Sequence, residues 1–266
     1  MSHVVVVGST NIDLTFRVAR LPRTGETLPG TDCFSGFGGK GANQAVMAAR
    51  LGARVTMVSA VGTDAFAAQA VDNYRGHGVS TEYVLTRDGP TGTACILLDE
   101  AANNCIVVVP GANATVSAAD VRAAAAAIRA ADAVVAQLET PPAATRAAFE
   151  LARAAGVRTI LNPAPALPID DLLPLTDLLV PNETELQTLT GAVTGTLPEV
   201  KQAARSLCRR GPKGVLVTLG AQGALLVEGE RAEHVSAPGG EGDRPDGGRR
   251  CVHRCGWRCT WPTAAV

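Results

Sequence analysis

Gly36-Phe37-Gly38-Gly39-Lys40-Gly41-Ala42-Asn43 is the densest glycine cluster of the chain, and it runs straight into a helical pattern over residues 43–51 that Gly52 closes. Glycines there let a backbone approach a polar ligand closely, and the start of a helix offers N–H groups without helical partners. The cluster is not a Walker A loop. That loop needs a Gly five places before the Gly-Lys pair and Ser or Thr after it, and Phe34 and Gly41 occupy those places. Gly36-x-Gly38-x-x-Gly41 has the spacing of a dinucleotide fingerprint. Yet Asp32-Cys33-Phe34-Ser35 before it is no buried strand, and the next strand ends Val58-Ser59-Ala60 without the required acid.

Outward from this cluster the chain alternates strand and helix. Residues 4–7 are an apolar run ending in Gly8-Ser9, which reads as a buried strand. Residues 14–19 and 31–37 alternate apolar with polar and read as antiparallel strands with one wet face. Strands at 55–61, 133–138, 157–161, 178–180 and 215–219 interleave with helices at 66–77, 117–130, 141–155, 183–190 and 199–209. Ser117-x-x-Asp120 is a capping box for one of these helices. Two hairpins, 93–98 with 105–109 and 224–227 with 232–235, complete the pattern. The alternation predicts an α/β fold, a mainly parallel sheet with helices on both faces. The early antiparallel strands, about 14–37, join 92–109 as a small flap on top.

With 266 residues, 46% hydrophobic and 18% charged, the chain has ample material for a core and no case for disorder. A net charge of -1 argues against a nucleic-acid partner. No run of 18 apolar residues occurs, and no basic stretch precedes Val4, so neither a membrane span nor a signal peptide is expected. Seven Cys in a chain of this size do not suggest a disulfide framework. The expectation is a cytoplasmic enzyme.

Polar residues gather where strands end. Asn11 and Asp13 flank Ile12 in Gly8-Ser9-Thr10-Asn11-Ile12-Asp13, and two such side chains on an extended segment face the same way, as paired hydroxyl ligands would. An Asx turn or a helix cap accounts for the same residues equally well. Glu139 and Asn162 follow two further strands. Asn182-Glu183-Thr184-Glu185 follows a third, where a carboxylate can hold water on Mg²⁺, although an ordinary capped helix start has the same pattern. Thr218-Leu219-Gly220-Ala221-Gln222-Gly223 follows a fourth, and its glycines allow a tight phosphate-lining turn. These polar strand ends on one sheet edge together predict a pocket there.

Taken in order, these motifs resemble the ribokinase-like (phosphofructokinase B) family of ATP-dependent sugar kinases. The matching pieces are GSTNID, Pro22-x-x-Gly25-Glu26-Thr27, GGKGANQA, Gly111-Ala112-Asn113-Ala114, Gln137-Leu138-Glu139, LNPAPA, PNETE and TLGAQG, which span residues 4 to about 238. The resemblance implies a three-layer α/β sandwich with a β-lid that pairs protomers into a homodimer. It implies phosphorylation of a sugar hydroxyl, D-ribose to D-ribose 5-phosphate, with another sugar or a nucleoside as the alternative acceptor. By it, Asn11, Ile12, Asp13, the Gly39, Lys40, Gly41, Ala42 and Asn43 backbone and Glu139 hold the sugar. Asn182 and Thr218, Leu219, Gly220, Ala221, Gln222 and Gly223 hold ATP, and Glu185 acts on Mg²⁺ through water. The family's potassium site lies largely further along the chain and is traced to no residue here.

Phosphoryl transfer also needs a base for the hydroxyl proton and donors for the moving charge. The family supplies both in a Gly-Ala-Gly-Asp segment that starts a helix, ten to fifteen residues beyond the strand ending at Val235. That segment is missing. Residues 239–266 hold Cys251, Cys255, Cys259, both Trp and five Arg, with no apolar period. Gly240-Glu241-Gly242-Asp243 comes too early, and Arg244-Pro245-Asp246-Gly247-Gly248 after it cannot begin a helix, so Asp243 is a poor substitute base. Cys251, His253, Cys255 and Cys259 have poor zinc spacing. Read from the second base of each codon, residues 246–256 permit Thr-Gly-Ala-Gly-Asp-Ala-Phe-Ile-Gly-Ala, which contains the missing motif. The tail therefore reads as out of frame from about Gly239, after a kinase domain at 1–238. Either the gene encodes a kinase whose final segment is shifted out of frame, or the chain is a non-catalytic sugar- or nucleotide-binding protein. Losing the family's closing helices would expose apolar faces of the sheet.

Overall fold

A computed structural model of the chain describes residues 1–237. Asp243, the Cys251, His253, Cys255 and Cys259 group and the whole tail reading lie outside them. In chain order the first strands are β1 (His3–Val7), β2 (Asn11–Val18), β3 (Gly30–Gly38), β4 (Arg54–Val61), β5 (Val79–Thr86), β6 (Gly92–Leu98) and β7 (Asn104–Val109). They are followed by β8 (Ala133–Ala136), β9 (Arg158–Leu161), β10 (Leu178–Leu179), β11 (Gly214–Thr218), β12 (Ala224–Glu228) and β13 (Arg231–Val235). The helices are α1 (Lys40–Arg50), α2 (Ala65–Gly76), α3 (Ala118–Ala123), α4 (Ala125–Arg129), α5 (Pro142–Ala154), α6 (Glu183–Thr190) and α7 (Leu197–Cys208).

Nine strands form one sheet in the order β13-β12-β11-β10-β9-β8-β1-β4-β5, parallel from β11 to β5 and antiparallel where β12 and β13 join. β1 shows why the sheet sits at the centre. Its valines are buried on both faces, Val5 and Val7 in the larger core with Ile128, Val134, Phe149 and Leu161, and Val6 in a second core with Ala45, Met57 and Tyr74. Helices α1 and α2 cover the second face, while α3 to α7 cover the first. This is the three-layer architecture that the resemblance implies.

The second face is covered over only half its width. Ile160, Leu178, Leu216 and Leu226 continue the side of Val6 and Val135 by register, and all four are only half-buried. The helices that contact β9 to β12 are α5, α6 and α7, which pack on the other side. Among the described residues no helix covers this apolar strip.

β2, β3, β6 and β7 make a separate sheet in the order β3-β2-β6-β7. This is the flap, reaching further toward the core than expected, from Asn11 and to Gly38. β2 pairs antiparallel with β3 and parallel with β6.

Three elements differ from the sequence reading. Helix α1 begins at Lys40 instead of residue 43, because Gly39 turns the chain at φ +89° and leaves Lys40 free to start the helix. The expected helix over 117–130 is two short helices meeting at Ala124, though the capping box of Ser117 and Asp120 is formed. β5 was not anticipated, although Val79, Thr81, Tyr83 and Leu85 alternate with polar Ser80 and Glu82 along it.

Candidate active site

Because β1, β8, β9, β10 and β11 run parallel, the segments after them meet at one edge of the sheet. The segment after β1 is fully buried at Ser9. Ser9 Oγ donates to Glu139 Oε2 at 2.5 Å and accepts from Gly41 N at 3.2 Å. Lys40 N donates to the same Glu139 oxygen at 2.9 Å, and Lys40 Nζ donates to Glu139 Oε1 at 2.7 Å. The start of α1, whose N-cap Gly39 has no side chain to close it, is therefore closed by a carboxylate from the neighbouring strand end. Burial pushes the Glu139 carboxyl up, but the Lys40 and Ser9 donors outweigh it and hold the carboxyl below its usual range.

The close fit explains the glycines. A Cβ on Gly41 would sit 2.5 Å from Ser9 N, and one on Gly39 would sit 2.9 Å from Asn11 N. A Cβ on Gly38 would fall within the Asp13 carboxylate, so the bare Gly38 backbone makes room for that side chain. Asn11 and Asp13 lie on one face of β2, beside Gly38 and Gly36 of β3. Asn11 is buried and its Oδ1 accepts from Asn113 Nδ2 at 2.8 Å. Ile12 points the other way, into a small core with Val61 and Ala70, so it offers a ligand only backbone.

Asn182 and Glu185 form the capping box of α6: Asn182 Oδ1 accepts from Glu185 N at 2.7 Å, and Glu185 Oε2 accepts from Asn182 N at 2.9 Å. Burial raises the Glu185 carboxyl above its usual range, against the Asn182 N–H and the nearby Lys40 charge. Residue 182 bridges to Thr218 at the end of β11. Beyond Thr218 a tight turn runs through Gly220 at φ +54° and Gly223 at φ +96°, with Ala221 and Gln222 exposed between them. A Cβ on Gly223 would strike the Val235 carbonyl. Leu219 is buried in the main core, so this turn too presents backbone.

The structure thus gathers the expected residues into two neighbouring groups on one sheet edge. One is built from Asn11, Asp13, Lys40 and Glu139, the other from Asn182, Glu185 and the 218–223 turn. Ser9 and Gly38 belong to the first group; the sequence showed Gly38 only as part of the glycine cluster and gave Ser9 no role of its own. An amide chain runs beside both: Gln137 Nε2 donates to Gln44 Oε1, Gln44 Nε2 to Asn162 Oδ1 at 3.3 Å, and Asn162 Nδ2 to the Val180 carbonyl at 2.9 Å. Gly36 and Gly38 lie in lid strand β3, which disposes of the dinucleotide fingerprint.

A parallel sheet with polar side chains gathered at its strand ends and a lid rooted beside them fits the frame of a carbohydrate kinase. The profile of the pfkB family carbohydrate kinases matches residues 1–241, and the chain belongs to that family. It is 44% identical to the ribokinase of Mus musculus over 229 residues, which cover 84% of this chain and 70% of the mouse protein. It is 41% identical to the ribokinase of Staphylococcus aureus over 239 residues, 89% of this chain and 79% of that protein. The solved structure of Arabidopsis thaliana ribokinase complexed with ribose and ATP superimposes with a TM-score of 0.81 at 35% identity, covering 90% of this chain and 79% of that one. Among the described residues no helix is long and apolar enough to cross a membrane.

Proposed function

We propose that residues 1–238 are the kinase domain of an enzyme that transfers the γ-phosphoryl of ATP to D-ribose, giving D-ribose 5-phosphate. The observation that carries this reading is the meeting of Asn11, Asp13 and Glu139 at the start of α1 beneath the lid. Two carboxylates and an amide suit a ligand dense in hydroxyls, each of which donates to one group and accepts from another. Ser9 and the α1 backbone fix Glu139, so its orientation is set before a ligand arrives. Asn43 and the Gly39–Ala42 backbone complete the sugar side. Asn182 and the 218–223 turn serve ATP, the glycines letting phosphate or adenine approach main chain.

Glu185 fits a Mg²⁺ held through water. Its capping bond uses Oε2 only, and a hard, hydrated cation needs few protein ligands. With ATP the cation neutralises phosphate charge. The same reading makes the chain a cytoplasmic homodimer paired through the lid; potassium attaches to no described residue.

No described residue is assigned as the base. The tail as an out-of-frame segment accounts for that, and resequencing the DNA coding for residues 239–246 tests it directly. The functional test expresses the chain as written beside a frame-restored version and assays ATP-dependent ribose phosphorylation. The restored version should turn over far faster, since loss of a single oxyanion donor alone costs about 10²–10³ in kcat. Equal rates would overturn the frameshift account and move Asp243 into the catalytic role. Ribose and ATP binding with no turnover in either version would favour the non-catalytic reading.

A further inference from the structure

The lid is rooted at four points, and all of them meet at Asn11; β3 returns at Gly38, which pairs with Asn11. β2 leaves the core at Asn11 itself. β7 returns through Asn113, which is buried and holds the first root on three sides: its Oδ1 accepts from Thr10 N at 2.8 Å, and its Nδ2 donates to the Thr10 carbonyl at 3.0 Å and to Asn11 Oδ1 at 2.8 Å. β6 leaves at Gly92, which pairs with Asn11. There is no slack between them. A Cβ on Gly92 would strike Asn113 Nδ2 and Asn11 Oδ1 and would lie 2.7 Å from the Thr10 carbonyl. Any displacement of the Gly92 root is therefore felt directly by the Asn11 amide.

What holds that root is Asp64, at the start of α2. Its Oδ1 accepts from Phe66 N and Ala67 N, both at 3.1 Å, and from Thr91 Oγ1 at 2.7 Å. Its Oδ2 accepts only from Thr91 N, at 2.7 Å. Thr91 is fully buried, and its hydroxyl also accepts from Gly62 N at 3.0 Å. Burial works against the charge on Asp64, yet the four donors hold its carboxyl below the usual range. The two oxygens thus divide the work: one caps a helix and takes the Thr91 hydroxyl, the other grips the lid root.

We infer that Asp64 is a positioning residue for the sugar site, clamping Thr91 so that the lid strand beside Asn11 keeps its place. This rests on the proposed sugar role of Asn11. Helix capping alone would explain the Oδ1 bonds to Phe66 N and Ala67 N but neither bond to Thr91, 27 residues away beside β6.

Asp64→Asn separates the two roles. Asn is as good an N-cap as Asp, but its NH₂ group would face the Thr91 N–H, donor against donor. Thr91→Val removes the hydroxyl while keeping the shape, and Thr91→Ser keeps the hydroxyl. Calorimetry with ribose and ATP on the full chain should show ribose binding about tenfold weaker in Asp64→Asn and in Thr91→Val, with Thr91→Ser close to the parent. ATP affinity should not change. Hydrogen exchange of the ligand-free chain supplies a reading that needs no sugar: Asp64→Asn should speed exchange at the starts of β2 and β6 and leave α2 as in the parent. Unchanged exchange at those starts would overturn the clamp. So would faster exchange in α2 with ribose and ATP weakened together, which is the mark of a helix cap alone. A parent that binds no ribose would sink the sugar assignment, and the exchange result would still decide the clamp.

Discussion

Ser9 donates to Glu139 and accepts from the backbone of Gly41, so one buried hydroxyl joins the segments after β1 and β8 and the start of α1. Nothing in the sequence sets this serine apart from any other before a turn, because its role exists only once β1 and β8 lie side by side. Asn11, Asp13 and Glu139 were legible for the opposite reason: they are polar residues standing where apolar strands stop, and strand ends of parallel sheets gather by topology. Asp13→Ala should remove measurable ribose binding in a titration, since a sugar hydroxyl left without its partner costs about 1–3 kcal/mol, more when the partner is charged. Glu139 gives a pH signature. Its carboxyl lies lower in the folded chain than in the unfolded one, so its contribution to stability is complete above the ordinary carboxylate value and is withdrawn as pH falls through the lowered one. Urea midpoints followed from neutral into acid should fall for the parent, and Glu139→Gln should lose part of that slope. Parallel slopes for the two proteins would remove Glu139 as a source of the acid sensitivity.

Helix α6 carries two readings at once. Its Asn182 and Glu185 are a capping box by geometry and nucleotide-side residues by proposal, and the sequence pattern could not separate the two. Asn182→Ala should destabilise the chain by about 1 kcal/mol through the lost cap and weaken ATP as well. Asn182→Asp keeps an acceptor for Glu185 N but sets a negative charge beside the phosphates, so melting should stay near the parent while ATP affinity falls. An ATP titration unchanged in both variants would leave Asn182 with the cap alone. Other elements show where sequence signals fade. The start of α1 was read three residues late because Gly39 and Gly41 look like loop, whereas both are glycine through close contact with the segment after β1. β5 kept its alternation but lies at the sheet edge, where half-exposed side chains blur the contrast between faces.

At the scale of the whole molecule, Ile160, Leu178, Leu216 and Leu226 form a half-buried apolar strip that no helix covers among the described residues. β13 lies beside it as the outer strand of the sheet. The chain as written should bind a hydrophobic dye and precipitate at concentrations where the frame-restored version stays clear and dye-free, because restored helices would cover that strip. Equal dye binding by the two would show that the strip is not what the lost segment covers. The order of the lid strands has a consequence for the time course of folding. β2 is made early in the chain, yet its parallel partner β6 arrives only after β4, α2 and β5, so the pairing of Asn11 with Gly92 closes a long loop. Contacts so distant in sequence form slowly, since the entropy of closing the loop is lost before the pairing returns anything. The hairpin of β2 with β3 can assemble on its own, but the full roof over the strand ends has to wait for the floor beneath it.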